Sequence, residues 1–324
     1  MGLTRVNLIG KKQKSKFKLG VAFSGGGAKG VAHIGVIKAL DEAGINIDYV
    51  AGTSAGSIIG ALYAFGLTAD EMIEIVKNID AKNIVKSYIR LPNSTEGIEN
   101  IIKESIGDVH FDELCIPFTA VATDIVTGNE VHLNVGSVAT ACAASCSVPV
   151  IFKYVEIGDC RLQDGGLLNN IPSDVVRNMG AEKVLAIDIN STRGAGTEST
   201  KLVSIAAACL GIAMKQNSLR GLQNADLSVS ISLKDFSSFK LDGYEEMIEK
   251  AYQETKKKIP EIKEMLGIKE KRLSLAEWLK AKKDKKAKEK NAPKKKKDEL
   301  KAPEAKAPSA PQAEDEEESA QIIL

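Results

Sequence analysis

From Leu19 to about Gly267, short apolar runs alternate with stretches of helical period. Leu19–Phe23 reads as a buried strand. Over Val31–Ala43, Lys38, Asp41 and Glu42 share one face and Gly44 supplies a stop, so the pattern predicts a helix. Tyr49–Ala51 predicts a short strand, and Ala55–Phe65 a helix of small and apolar residues. Thr68 and Glu71 stand three apart, the spacing of a capping box that opens the next helix. A further helix is expected over Thr95–Ile106. Phe118–Thr123, the Thr127–Gly128 turn and Glu130–Leu133 read as strand, turn and strand. Ser137–Ala144 predicts a small-residue helix bounded by Pro149. Val155–Ile157, Val184–Ile189 and Leu227–Ile231 are expected strands. Ser173–Met179, Leu202–Gln223 and the amphipathic Asp242–Lys258 are expected helices. This alternation predicts an α/β fold: a three-layer α/β/α sandwich on a mostly parallel sheet.

Composition adds domain organisation. The chain has 324 residues, 44% of them hydrophobic, which allows a sizeable core. Its net charge of +1 hides an uneven spread. Residues 1–18 form a basic extension, 19–267 the globular part, and 268–324 a charged tail. Fifteen Lys/Arg oppose six Asp/Glu over 268–301, and one Lys opposes six acids over 302–324. From Lys280 onward Lys, Ala, Pro and Glu dominate, so that part is expected to be disordered.

The cysteines are Cys115, Cys142, Cys146, Cys160 and Cys209. An odd count without a CxxC pair points to free thiols in a reducing compartment. Cys142 and Cys146 share a helix face and read as core residues, since no Cys/His pair sits nearby at ligand spacing. The Val6–Ile9 run is too short for a signal peptide, and Val6 breaks the myristoylation pattern behind Gly2. Leu202–Met214 is too short to span a bilayer. The expected location is the cytosol, with peripheral contact at the inner membrane surface as the one membrane option.

Candidate chemistry lies at three turns. Gly52-Thr53-Ser54-Ala55-Gly56 fits G-x-S-x-G between a strand and a helix, the context of a nucleophile elbow. Gly25-Gly26-Gly27-Ala28-Lys29-Gly30 also links a strand to a helix. Two functions fit its clustered amides: an oxyanion hole, or a dinucleotide cradle, because Gly25, Gly27 and Gly30 satisfy GxGxxG. The cradle wants an acid ending the second strand, yet Asp48 precedes that strand and Gly52-Thr53-Ser54 ends it. A P-loop fails, since Val31 stands where its lysine should be. Only three histidines could serve as base. His33 reads as a packed or capping residue, His132 sits on the polar side of a strand, and His110 lies in a loop. A triad with a late histidine has no candidate after residue 132. What remains is a carboxylate that contacts the serine directly. Asp164-Gly165-Gly166 stands out, although such a tripeptide is usually only a turn.

GGGAKG, GTSAG and DGG in this order resemble the bacterial patatin-like phospholipases. The text between them is similar too: GVAHIGVIKAL, TAVATDIVTGNEV and ASCSVPVIFKYVEIGDCRLQDGGLLNNIP. The resemblance covers Leu19–Ile189 strongly and reaches weakly to Ser232. It implies the patatin-like fold and a Ser-Asp dyad of Ser54 and Asp164. It also implies an oxyanion hole of Gly25, Gly26 and Gly27 assisted by the Ala55 amide. Lys29 takes the family's basic loop position, and Gly30, Gly52, Gly56, Gly165 and Gly166 support the motifs. Gly166 stands where relatives often have alanine. The implied activity is a lipid acyl hydrolase that works through an acyl-enzyme, with no cofactor and no metal.

Two rivals remain at this level: an acyltransferase on the same site, and a non-catalytic lipid-binding regulatory module. The tail suggests a partner. Leu275, Trp278 and Leu279 share a helical face behind the Ser274–Glu277 capping box, and a long run of lysines follows. That is the pattern of a segment that docks on anionic membrane. Three plainer readings together outweigh it: packing back on the domain, a solubilising tail, or nonspecific nucleic-acid contact. No specific nucleic acid is expected.

Overall fold

A computed structural model of the chain describes residues 13–79, 92–191 and 202–269. Their strands are β1 (Leu19–Phe23), β2 (Tyr49–Thr53), β3 (Phe118–Asp124), β4 (Asn129–Leu133), β5 (Val155–Ile157), β6 (Cys160–Asp164), β7 (Lys183–Asp188) and β8 (Leu227–Ser230). They form one sheet in the order β5-β6-β3-β2-β1-β7-β8, with β4 also paired to β3. The β3-β2-β1-β7-β8 stretch is parallel. The other end, where β3 meets β4 and β6 and β6 meets β5, is antiparallel.

The described helices are α1 (Ala32–Glu42), α2 (Ala55–Phe65), α3 (Ala69–Asn78), α4 (Glu96–Ile106), α5 (Val138–Ser145), α6 (Ser173–Asn178), α7 (Leu202–Gln223) and α8 (Tyr244–Met265). Strand side chains alternate between the two faces of the sheet. Leu19, Val21 and Phe23 of β1 enter a large core with α1 to α5 and α8. Ala22, Ala51 and Ala186 enter a smaller core with Val175 and Val176 of α6 and Leu222 of α7. Helices therefore cover both faces, and the fold is a three-layer α/β/α sandwich.

Three elements differ from the sequence pattern. β6 carries Arg161 and Gln163 and shows no apolar run; pairing with β3 and β5 makes it a strand. α8 continues past Lys258 and through Pro260 to Met265. Proline removes one helical hydrogen bond, but Ile262 and Leu266 are fully buried beyond it and hold the last turns in place. Residues 13–18 of the basic extension are tied down: Gln13 donates to the Gly44 carbonyl and Lys16 to the Leu266 carbonyl, each at 3.0 Å.

Ile268 belongs to the large core, and the chain divides after Lys269. Leu275, Trp278, Leu279 and the lysines after them lie outside the described residues. No described helix is long and apolar enough to cross a membrane.

Candidate active site

Two strands run head-on into each other along one edge of β3. β4 pairs with β3 over Ala120–Asp124 and occupies one edge. β2 pairs over Phe118–Val121 and β6 over Ala122–Asp124, so both must occupy the other edge. β2 runs parallel to β3 and ends with Thr53 opposite Val121. β6 runs antiparallel and ends with Asp164 opposite Ala122. Each chain has to leave the sheet where the other arrives. This brings Ser54, the first residue past β2, beside Asp164, the last residue of β6.

Ser54 has φ 52° and ψ −129° and is nearly buried. Among the described residues, only it and Val150 are non-glycine residues at positive φ. Such backbone costs on the order of 1–3 kcal/mol and persists only where its surroundings hold it. Here the chain must reverse tightly from β2 into α2. The turn fits because Gly56 packs on the carbonyls of Phe23 and Ser24, where a Cβ would collide with backbone. Gly52 packs in the same way on the Gly56 carbonyl. The Ser54 carbonyl accepts the amide and the hydroxyl of Ser57 at 2.8 and 2.7 Å. The Thr53 hydroxyl donates to the Asn169 carbonyl at 2.8 Å.

Asp164 is buried. Its Oδ1 accepts the Gly166 amide at 2.8 Å, and its carbonyl accepts the Thr123 hydroxyl at 3.2 Å. Gly165 begins the short 3-10 turn that follows, and the Met214 methyl of α7 lies over Gly166. α7 is anchored on this turn: Asn217 donates to the Leu167 carbonyl at 2.6 Å, and Asn170 donates to the Ser218 hydroxyl at 2.8 Å.

The glycine loop leaves β1 next door and enters a 3-10 turn, Gly27–Val31, before α1. Gly25 is pressed against Ser54; a Cβ on it would lie 3.1 Å from the Ser54 Cβ and 2.7 Å from Asn170 Oδ1. Its amide is spent on the Asn170 carbonyl at 3.1 Å, and the Ala28 amide on the Ser238 carbonyl at 2.9 Å. The structure thus departs from the expectation that Gly25 is an oxyanion donor: it is a spacer. The amides of Gly26 and Gly27 donate to no described carbonyl. The Ala55 amide opens α2, where a helix has no internal acceptor to offer. Gly30 packs against the Ala55 methyl, and Lys29 is buried in the 3-10 turn.

No described hydrogen bond joins a histidine to Ser54. His33 is fully buried against Phe23, with Nε2–H donating to the Ser24 carbonyl at 2.9 Å. Burial lowers its pKa to about 4. His132 is partly exposed and bonded to Glu130 at 2.7 Å, which raises its pKa. His110 caps a surface 3-10 turn. Cys142 and Cys146 are buried, and burial pushes the Cys142 thiol up to about 12. Among the described residues, no group of three or more His, Cys, Asp or Glu is placed to hold a metal ion.

Sequence reasoning missed the supports of this site. Ser145, Ser147, Asn169, Asn170 and the α7 residues Met214 and Asn217 touch the motif residues, and Ser218 of α7 holds Asn170. Their only signal was that the first four lie in the text resembling the family.

Residues 21–177 match the family model described as "Patatin-like phospholipase". The chain carries a patatin-like phospholipase domain. It is 35% identical over 178 residues to an uncharacterized NTE family protein of Mycobacterium tuberculosis, covering 54% of this chain and 30% of that one. It is 33% identical over 187 residues to the neuropathy target esterase of Drosophila melanogaster, covering 53% of this chain and 13% of that one. The chain thus spans a third or less of the length of these two relatives. VipD of Legionella pneumophila shares the fold, with a TM-score of 0.52 at 14% identity, over 78% of this chain and 70% of that one.

Proposed function

We propose that the chain is a carboxylic ester hydrolase that cleaves fatty-acyl esters of phospholipids or lysophospholipids, with Ser54 as nucleophile and Asp164 as general base. The observation that carries this reading is the strained Ser54 turn at the point where β2 and β6 meet along β3, which sets Ser54 at the end of β6 where Asp164 stands. Asp164 takes the Ser54 proton as the hydroxyl attacks the ester carbonyl. The oxygen that becomes negative is held by the amides of Gly26, Gly27 and Ala55; loss of one such donor typically costs on the order of a hundredfold in rate. Asp164 passes the proton to the leaving alcohol or lysophospholipid. It then takes a proton from water, which releases the fatty acid from the acyl-enzyme and returns the proton to Ser54. His33 is assigned no part in this: its Nε2–H donates to the Ser24 carbonyl, and no described hydrogen bond joins its ring to Ser54 or Asp164.

Labelling with a fluorophosphonate, followed by esterase assays, tests the reading. The wild-type protein should be labelled at Ser54. Ser54→Ala and Asp164→Asn should each lose activity by at least about a thousandfold, because members of a catalytic unit fail together. His33→Gln should keep the larger part. Labelling that persists in Ser54→Ala, or wild-type turnover in Asp164→Asn, would sink the proposal. On sequence pattern alone, the proposal extends to contact of Leu275, Trp278, Leu279 and the following lysines with anionic membrane.

A further inference from the structure

The end of α5 and the residues after it grip both members of the candidate dyad through the main chain. Ser145, fully buried, accepts the Ser54 amide on its hydroxyl at 2.9 Å and donates that hydroxyl to the Val121 carbonyl at 2.6 Å. Two residues on, the Ser147 carbonyl accepts the Asp164 amide at 3.0 Å. The Ser147 hydroxyl lies 2.9 Å from the Ala144 carbonyl and 3.0 Å from the Leu162 carbonyl, which fixes the segment to α5 and β6. Between them the Cys146 thiol is buried beside Ser54, Ser57 and Asp164.

Val121 is the residue at which β2 stops and after which β6 begins. The ladder between β2 and β3 ends at Thr53, so no strand partner remains for the Ser54 amide. A buried amide without an acceptor is costly, and a residue at positive φ relaxes once nothing holds it. The Ser145 hydroxyl answers both needs with one group, since it takes the Ser54 amide and is itself oriented by Val121.

We propose that Ser145 is a positioning residue for the nucleophile: its hydroxyl holds the Ser54 backbone in the turn and, with the Ser147 carbonyl, sets the separation of Ser54 from Asp164. This rests on the dyad reading above. A misplacement of about 1 Å can cost on the order of a hundredfold in rate.

Ser145→Ala removes the hydroxyl and keeps the Cβ, and Ser145→Thr keeps the hydroxyl. The full chain is assayed for kcat and KM on a short-chain p-nitrophenyl ester and for its rate of fluorophosphonate labelling. In Ser145→Ala, kcat and labelling rate should fall together by tenfold or more while KM stays within twofold. Ser145→Thr should restore most of both. If Ser145→Ala keeps kcat and labelling within twofold of wild type, or if Thr restores neither, the inference is overturned. Should Ser145→Ala fail to fold, exchange of the Ser54 amide in the wild-type protein decides: slow exchange supports the bond and fast exchange overturns it. A wild-type protein that takes no label at Ser54 overturns the dyad reading and this inference with it. A labelled wild type beside an equally labelled Ser145→Ala overturns this inference alone.

Discussion

At the scale of single residues, burial decides what a polar group can do. His33 is the second residue of α1 and holds the carbonyl that precedes the glycine loop. Desolvation lowers its pKa from 6.5 to about 4, because the charged ring has no water to solvate it. The folded pKa is thus below the unfolded one, and between pH 6.5 and 4 the unfolded chain binds more protons. The stability carried by neutral His33 is full above about pH 6.5 and is lost as the pH falls toward 4. Complete loss amounts to something on the order of 3 kcal/mol. His33→Gln keeps a donor for Ser24 and does not titrate. Urea unfolding between pH 7 and 4 should therefore show a shallower loss in His33→Gln than in wild type. Identical slopes would mean that His33 does not titrate in this way.

At the scale of elements, α1 and the long helix α8 touch at a glycine. Gly35 of α1 lies against the Ile248 carbonyl and the Tyr252 amide of α8, so a Cβ there would meet backbone rather than a movable side chain. Tyr252 also donates to Glu42 at 2.7 Å, which fixes the crossing farther along α1. Two effects oppose each other in Gly35→Ala. Helix propensity favours alanine by about 1 kcal/mol. Overpacking a filled contact costs about 1–3 kcal/mol, and a collision with backbone falls at the upper end. The expected outcome is a lower thermal midpoint, and a raised midpoint would show that the helices separate freely. α1 also begins directly after the glycine loop, so some loss of esterase activity should accompany the loss of stability.

At the scale of the molecule, the described core is assembled between Leu19 and Ile268. A chain ending at Lys269 should therefore keep its thermal midpoint and its activity on soluble short-chain esters. The tail residues 270–324 carry the basic run that would meet an anionic bilayer, at on the order of 1 kcal/mol per engaged lysine at low salt. Co-sedimentation with anionic vesicles at low salt should fall on truncation, and the difference should shrink at high salt. Equal vesicle binding by both chains would remove the tail from the account.

Local chemistry was legible from the residues alone. Leu19–Phe23, Ala55–Phe65, Leu202–Gln223 and the Thr68–Glu71 capping box appear where the pattern put them, because period, glycine stops and caps act within a few residues. Ser54 and Asp164 could be named as candidates for the same reason, each standing in a short turn motif of its own. That they stand side by side was decided by β2 and β6, far apart in the chain, pairing along the same edge of β3. The same holds for the Gly25 amide, taken by Asn170, and for the Ser54 amide, taken by Ser145. A pattern along the chain records which side of an element is apolar. Which buried donor finds which acceptor depends on where the packed layers bring distant backbone together, and only the tertiary structure settles that.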